Sequence, residues 1–159
     1  MAADVPLILE FIRALAEYEK LGPEAIATEA DLRATLFGER RYAEVVLADC
    51  DGQAAGFALF FHNYSTFLGK PGIFLEDLFV SPAFRKHGVG GALLRHLARL
   101  TVERNCGRLE WSALNWNQLA IDFYLRLGAT PMSGWHNYRL TGESLRRVAA
   151  AQPGAPQPV

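Results

Sequence analysis

The sequence has little of what a covalently or metal-stapled scaffold needs. Its 159 residues include two cysteines, Cys50 and Cys106. They lie far apart without CxxC spacing, which argues against a disulfide framework or a cysteine zinc site and fits a reducing cytoplasm. Nothing basic stands beside Cys106 in sequence to make it an acyl-accepting nucleophile. The four histidines, His62, His87, His96 and His136, have no metal-ligand spacing, so no metal is expected. His96, three residues after Leu93 and four before Leu100, is expected to pack on a helix. A formal net charge of −1 gives no argument for a nucleic-acid or membrane partner. No run approaches the roughly 18 apolar residues of a membrane span. The start, Met1-Ala-Ala-Asp4, lacks the basic region of a signal peptide, and a cytoplasmic location is expected.

What is present suits a folded domain. Half the residues are hydrophobic and 21% are charged, enough for one substantial core. A single domain is expected over 1–150, followed by a Pro-rich tail over 151–159 expected to be disordered. Asp4 and Pro6 suit a helix start, and Leu7, Ile8, Phe11, Ile12 and Leu15 follow at helical spacing. Thr28 and Asp31 form a capping-box pattern for a second helix ending near Gly38. Strands are predicted over 43–48 and 55–61, joined by the hairpin signal Asp51-Gly52. A loop is predicted over 63–72, then a central strand over 73–80, a helix over 88–104 and a strand over 109–114. A helix over 118–127 closed by Gly128, a strand over 135–140 and a helix over 143–150 complete the pattern. The order predicts a mixed α/β sheet (α+β) flanked by helices. It is not a dinucleotide-binding Rossmann or P-loop pattern, because neither glycine motif is present.

The central strand runs into Arg85-Lys-His-Gly88-Val-Gly90-Gly-Ala92. A strand feeding a helix through glycines directs several backbone N–H groups at one point, which suits a phosphate or pyrophosphate. An ordinary loop–helix junction would look the same in isolation.

The run from Arg85 to Ala92 resembles the [RQ]xxGx[GA] acyl-CoA signature of the GNAT N-acetyltransferases. Asn117, Phe123-Tyr124 and Leu127-Gly128-Ala129 resemble that family's second hallmark. Leu15-Ala-Glu-Tyr-Glu19, Tyr64-Ser-Thr-Phe-Leu-Gly69, Leu75-Glu-Asp77 and Trp116-Asn117 look like the diamine (spermidine/spermine) and thialysine acetyltransferase branch, over roughly residues 4–148. The family begins with a strand before its first helix, and this strand is expected to be missing from a sequence starting at Met1-Ala-Ala-Asp4. Leu119 stands where the family often has proline.

The resemblance implies a central, mostly antiparallel sheet, acetyl-CoA as co-substrate and transfer of acetyl to a primary amine by direct attack. It implies that Leu78, Phe79 and Val80 pair with the pantetheine arm. Arg85, Lys86, His87, Gly88, Val89, Gly90 and Gly91 would hold the pyrophosphate. Asn117 would contact the cofactor, and could equally cap the helix that follows. Tyr124 is implied as the acid that protonates the leaving thiolate, or else as a core aromatic beside Phe123. Glu76 is implied as the group that activates the amine, through a water, and its apolar strand is expected to desolvate it. Alternation would send Glu76 and Asp77 to opposite faces. Tyr18, Glu19, Glu76 and Asp77 are the implied substrate-binding residues. Capping, ion pairing or a solvated helix end are the plainer roles for these acids.

Ser65 occupies a position where the spermidine enzymes place a further acid. One carboxylate fewer favours a thialysine-, lysine- or ornithine-like acceptor. The resemblance also implies a homodimer. Acetylation of a protein lysine or N-terminus, and a non-catalytic CoA-binding regulatory module, remain the alternatives.

Overall fold

The computed structural model describes residues 1–151, in two compact units, Met1–Leu114 and a second from Asn115 onward. Apart from Ala151, the Pro-rich tail lies outside the described residues.

The first unit opens with a 3-10 turn, Ala2–Asp4, and α1, Val5–Glu19. Pro6 falls in the first turn of α1, where a missing N–H removes no helical bond. α2, Glu29–Leu36, begins with the expected capping box. Thr28 Oγ1 accepts from the Asp31 N–H at 3.2 Å, and the Asp31 carboxylate accepts from the Thr28 N–H at 2.9 Å.

The sheet contains β1 (Glu44–Cys50), β2 (Gln53–Ser65), β3 (Lys70–Val80) and β4 (Leu109–Trp111), in the order β1-β2-β3-β4. The first three are antiparallel neighbours, and β4 runs parallel to β3. A parallel return needs a crossover, which α3 (Val89–Glu103) supplies. The β1–β2 turn is the one the sequence announces: Asp51 and Gly52 have φ of 53° and 79°, as a type I′ hairpin requires.

Both faces of the sheet are covered. On one, Leu93 and Leu97 of α3 pack with Ala58, Phe60, Ile73 and Leu75. On the other, α1 and α2 cover Val45, Leu47, Phe57, Leu59 and Phe79. The Phe11 ring of α1 lies 5.8 Å from those of both Phe57 and Phe79. The burial of Phe57 and Phe60, each essentially complete, is worth roughly 2–3 kcal/mol apiece.

Three element expectations need correction. Residues 63–72 are not a loop: β2 continues to Ser65, β3 starts at Lys70, and only 66–69 turn. Proline survives in this ladder because of its position. The Ile73 N–H donates to the Arg108 carbonyl, away from β2, so Pro71, two residues earlier, also turns its nitrogen from β2. The strand predicted over 109–114 ends at Trp111. Residues 135–140 form no strand, because a strand exists only through a paired neighbour and none of the described residues pairs with them.

Gly56 lies opposite Val80 at the end of β3. A Cβ there would stand 2.3 Å from the Phe79 carbonyl oxygen, a backbone atom that cannot rotate away. Gly56→Ala is therefore expected to cost about 1–3 kcal/mol and to lower the melting temperature by several degrees. A thermal melt unchanged from wild type would show that β2 and β3 can separate there without loss.

The second unit contains α4 (Gln118–Arg126), followed by Gly128 at φ 86°, and α5 (Gly142–Ala150). No helix among the described residues is long and apolar enough to cross a membrane.

Candidate active site

The central strand has an open edge along Glu76 to Val80, five of the expected site residues. β4 pairs with β3 only at Ile73, Phe74 and Leu75. Beyond Leu75, residues 76–80 have β2 on one side and no strand on the other among the described residues.

A β-bulge marks the point where β4 leaves. Asp77 pairs with Leu59 and Leu75 with Phe60, so Glu76 is the extra, unpaired residue. Its consequence is a change of phase. Leu75 and Leu78, three residues apart, both pack on the α3 side, while Phe79 packs towards α1. The backbone changes phase too. Ser81 N–H donates to the Ala55 carbonyl at 2.9 Å, so alternation directs the amide groups of Phe79 to β2 and those of Leu78 and Val80 to the open edge. Of the three strand residues expected to bind an extended ligand, Leu78 turns its N–H and C=O to the free edge, Val80 turns its N–H there with its carbonyl taken by Arg85, and Phe79 turns neither.

The bulge also overturns the simple alternation expected for the two acids. Glu76 is exposed, so the desolvation expected for it does not arise. Asp77 is half-buried on the α1 side, and burial pushes its carboxyl up to about 6, with the charges of Glu76 and Glu19 adding to the rise. Glu19, in the last turn of α1, is itself raised by burial. The three carboxylates, from α1 and β3, act on one another electrostatically, and such a cluster is able to attract a cation.

Past β3 the chain makes a 3-10 turn, Pro82–Phe84, and enters the basic loop. Lys86 and Gly88 both have left-handed backbones, with φ of 68° and 81°. Glycine is well suited to the second position, and nothing lies within 4 Å of where its Cβ would be. Gly88 is the N-cap of α3, and no side chain caps the helix. The first-turn N–H groups of α3 are therefore left without a side-chain cap, as backbone donors for an anion. Lys86 and His87 are exposed beside it; Gly90 and Gly91 are half-buried, and Val89 contributes backbone only, since its side chain is buried in the core. This donor set fits a pyrophosphate. Arg85 does not hang free: its Nε donates to the Val80 carbonyl at 3.1 Å, and its guanidinium lies over Tyr18.

In the second unit Asn117 is the N-cap of α4, its Oδ1 accepting from the Ala120 N–H at 3.3 Å. The capping role expected for it is thus met. Tyr124 is half-buried on α4, its ring centroid 5.4 Å from that of Phe123. Sequence reasoning missed the raised carboxyl of Asp77 and the clamping of Arg85. The first had a signal: two consecutive acids between Leu75 and Leu78 break the two-residue period of a strand. The second had none, because Tyr18 and Arg85 meet only through the fold.

Residues 10–129 match the model of the family described as "Acetyltransferase (GNAT) family". The chain is 38% identical over 153 residues to the thialysine N-epsilon-acetyltransferase of Bos taurus, covering 89% of each. It is 31% identical to the L-ornithine N5-acetyltransferase of Arabidopsis thaliana, covering 91% of this chain and 83% of that one. Among solved structures it is similar to an integron cassette protein from the mobile metagenome of V. cholerae. That match has a TM-score of 0.77 and 30% identity, covering 94% of this chain and 91% of the other.

Proposed function

The chain belongs to the GNAT family and is an acetyl-CoA-dependent amine acetyltransferase, and on that premise we propose that its acceptor is a small free amine of the thialysine, lysine, ornithine or diamine class. The observation that carries this reading is the carboxylate trio Glu19, Glu76 and Asp77 beside the open edge of β3. Such a trio suits one ammonium group and gives a long polycation few further anchors. Ser65, where the spermidine enzymes place another acid, is buried and accepts from the Leu68 N–H, a turn role. Relatives named for thialysine and ornithine acetylation support the same class.

Acetyl-CoA supplies an already activated thioester, so the protein has three tasks: alignment, deprotonation of the ammonium and protonation of the leaving thiolate. In this reading Leu78 presents its edge N–H and C=O, and Val80 its N–H, to the pantetheine arm in the manner of an added strand, the Val80 carbonyl being held by Arg85. The loop from Arg85 to Gly91 holds the pyrophosphate. Glu76, exposed at the bulge, exchanges the ammonium proton with water, and Asp77, near neutrality, is the member of the pair tuned to hold it. Asn117 and Tyr124 keep the roles their motif implies, cofactor contact and proton donation to sulfur. The homodimer belongs to the same reading.

Thiol release from acetyl-CoA over a panel of thialysine, lysine, ornithine, putrescine, spermidine and lysine peptides tests the proposal. The expected result is the highest kcat/KM with a free ω-amino acid or diamine. Faster turnover of peptides than of every free amine would overturn it. CoA binding without turnover of any amine would favour a regulatory module instead.

A further inference from the structure

A basic residue at the mouth of an anion-binding loop is ordinarily a mobile side chain that orders when its ligand arrives. Arg85 is exposed, yet it is held from two directions. Its Nε donates to Val80 O at 3.1 Å, and its guanidinium carbon stands 4.9 Å from the Tyr18 ring centroid and 6.0 Å from that of Phe79. Phe79 and Val80 are the last residues of β3, the strand that leads into its loop. Tyr18 comes from the end of α1, and its half-buried ring completes the cage. The resemblance placed Tyr18 on the substrate side, next to Glu19, but its ring faces the cofactor loop's cation.

We propose that Tyr18 is a positioning residue for acetyl-CoA: its ring holds the Arg85 guanidinium at the loop mouth before the pyrophosphate arrives. The inference rests on the reading of Arg85 to Gly91 as the pyrophosphate loop. The physical basis is pre-organisation. An arginine loses much rotamer freedom when it binds, and fixing it beforehand on a carbonyl and a π face removes part of that loss from the binding step. The two holds leave the guanidinium's terminal N–H groups for a bidentate contact with phosphate oxygens. Tyr18 thereby acts on the cofactor through Arg85 without touching it.

The test is CoA affinity by titration calorimetry, with no amine present, for wild type, Tyr18→Leu, Tyr18→Phe, Arg85→Gln and the double variant Tyr18→Leu/Arg85→Gln. Tyr18→Leu is expected to weaken CoA binding about 3- to 10-fold, the cost of immobilising one rotamer-rich side chain in the binding step. Tyr18→Phe keeps the ring and is expected to rescue most of that loss. In the Arg85→Gln background, Tyr18→Leu is expected to weaken binding no further. Wild-type affinity in Tyr18→Leu, or an equal loss in both backgrounds, would overturn the proposal. If Arg85→Gln alone leaves CoA affinity intact, the pyrophosphate-loop reading falls as well. A normal Arg85→Gln loss beside an inert Tyr18→Leu would remove only the role of Tyr18. Should the leucine variant not fold, Tyr18→Met, apolar and of similar reach but lacking a π face, carries the same expectations.

Discussion

Tyr124→Phe is expected to lower kcat about 100-fold while leaving the Kd for acetyl-CoA within about twofold of wild type. The size follows from the leaving group. A thiol of ordinary acidity, near pH 8.5, departs tolerably as its anion, so losing the proton donor takes the lower end of the range for general acid catalysis. The hydroxyl is the only group removed. The ring stays, and with it the 5.4 Å packing on Phe123 and the local order of α4. A loss in kcat without a loss in cofactor affinity is the signature of an interaction made only in the transition state. Single-turnover kinetics with saturating acetyl-CoA, paired with equilibrium binding, separates the two. Wild-type kcat in the variant would remove Tyr124 from the chemistry. A parallel loss of affinity would make it a binding residue.

The parts of this fold that were legible in the sequence are those that local chemistry dictates. Thr28 and Asp31 announce a helix start because the capping box is complete within four residues. Asp51-Gly52 announces a hairpin because its dihedrals are intrinsic to those two residues. The glycine-rich junction before α3 was readable for the same reason: Gly88 adopts a conformation that most side chains avoid.

What stayed hidden depends on pairing between distant segments. Asn63, Gly69, Pro71 and Gly72 carry turn chemistry, yet most of them lie in a ladder whose hydrogen-bond parity tolerates them. The residues of 135–140 have strand-like composition and no partner among the described residues. At the site, the motif pointed to the strand, the loop and the acids. The bulge decided which of them is useful. It exchanges the backbone of Asp77 and Phe79 for that of Leu78 and Val80 at the open edge, and it makes Asp77, not Glu76, the desolvated acid.

That exchange gives Asp77→Asn two effects of opposite kind. On activity, kcat/KM for the amine is expected to fall about 100-fold, as for loss of a positioned base. In wild type, the acidic limb of the kcat/KM profile should fall as pH drops through about 6, because protonation of Asp77 would neutralise the group proposed to take up the amine's proton. The variant should lack that limb. On stability the sign reverses. Asp77 titrates higher in the folded protein than the 3.8 of an unburied aspartate, so between the two values the folded state binds the extra proton. Rising pH therefore costs stability across that window, and above it the buried charge is a standing penalty of up to roughly 3 kcal/mol. Asparagine carries no charge, so the variant is expected to melt higher than wild type at pH 8 and no higher at pH 3.5. Glu76→Gln separates the causes: it removes one neighbouring charge, so the Asp77 limb should move to lower pH while remaining visible. A wild-type acidic limb in Asp77→Asn would transfer the base role to another group. A lower melting temperature at pH 8 would mean that the Asp77 carboxylate is held by favourable contacts that outweigh its burial.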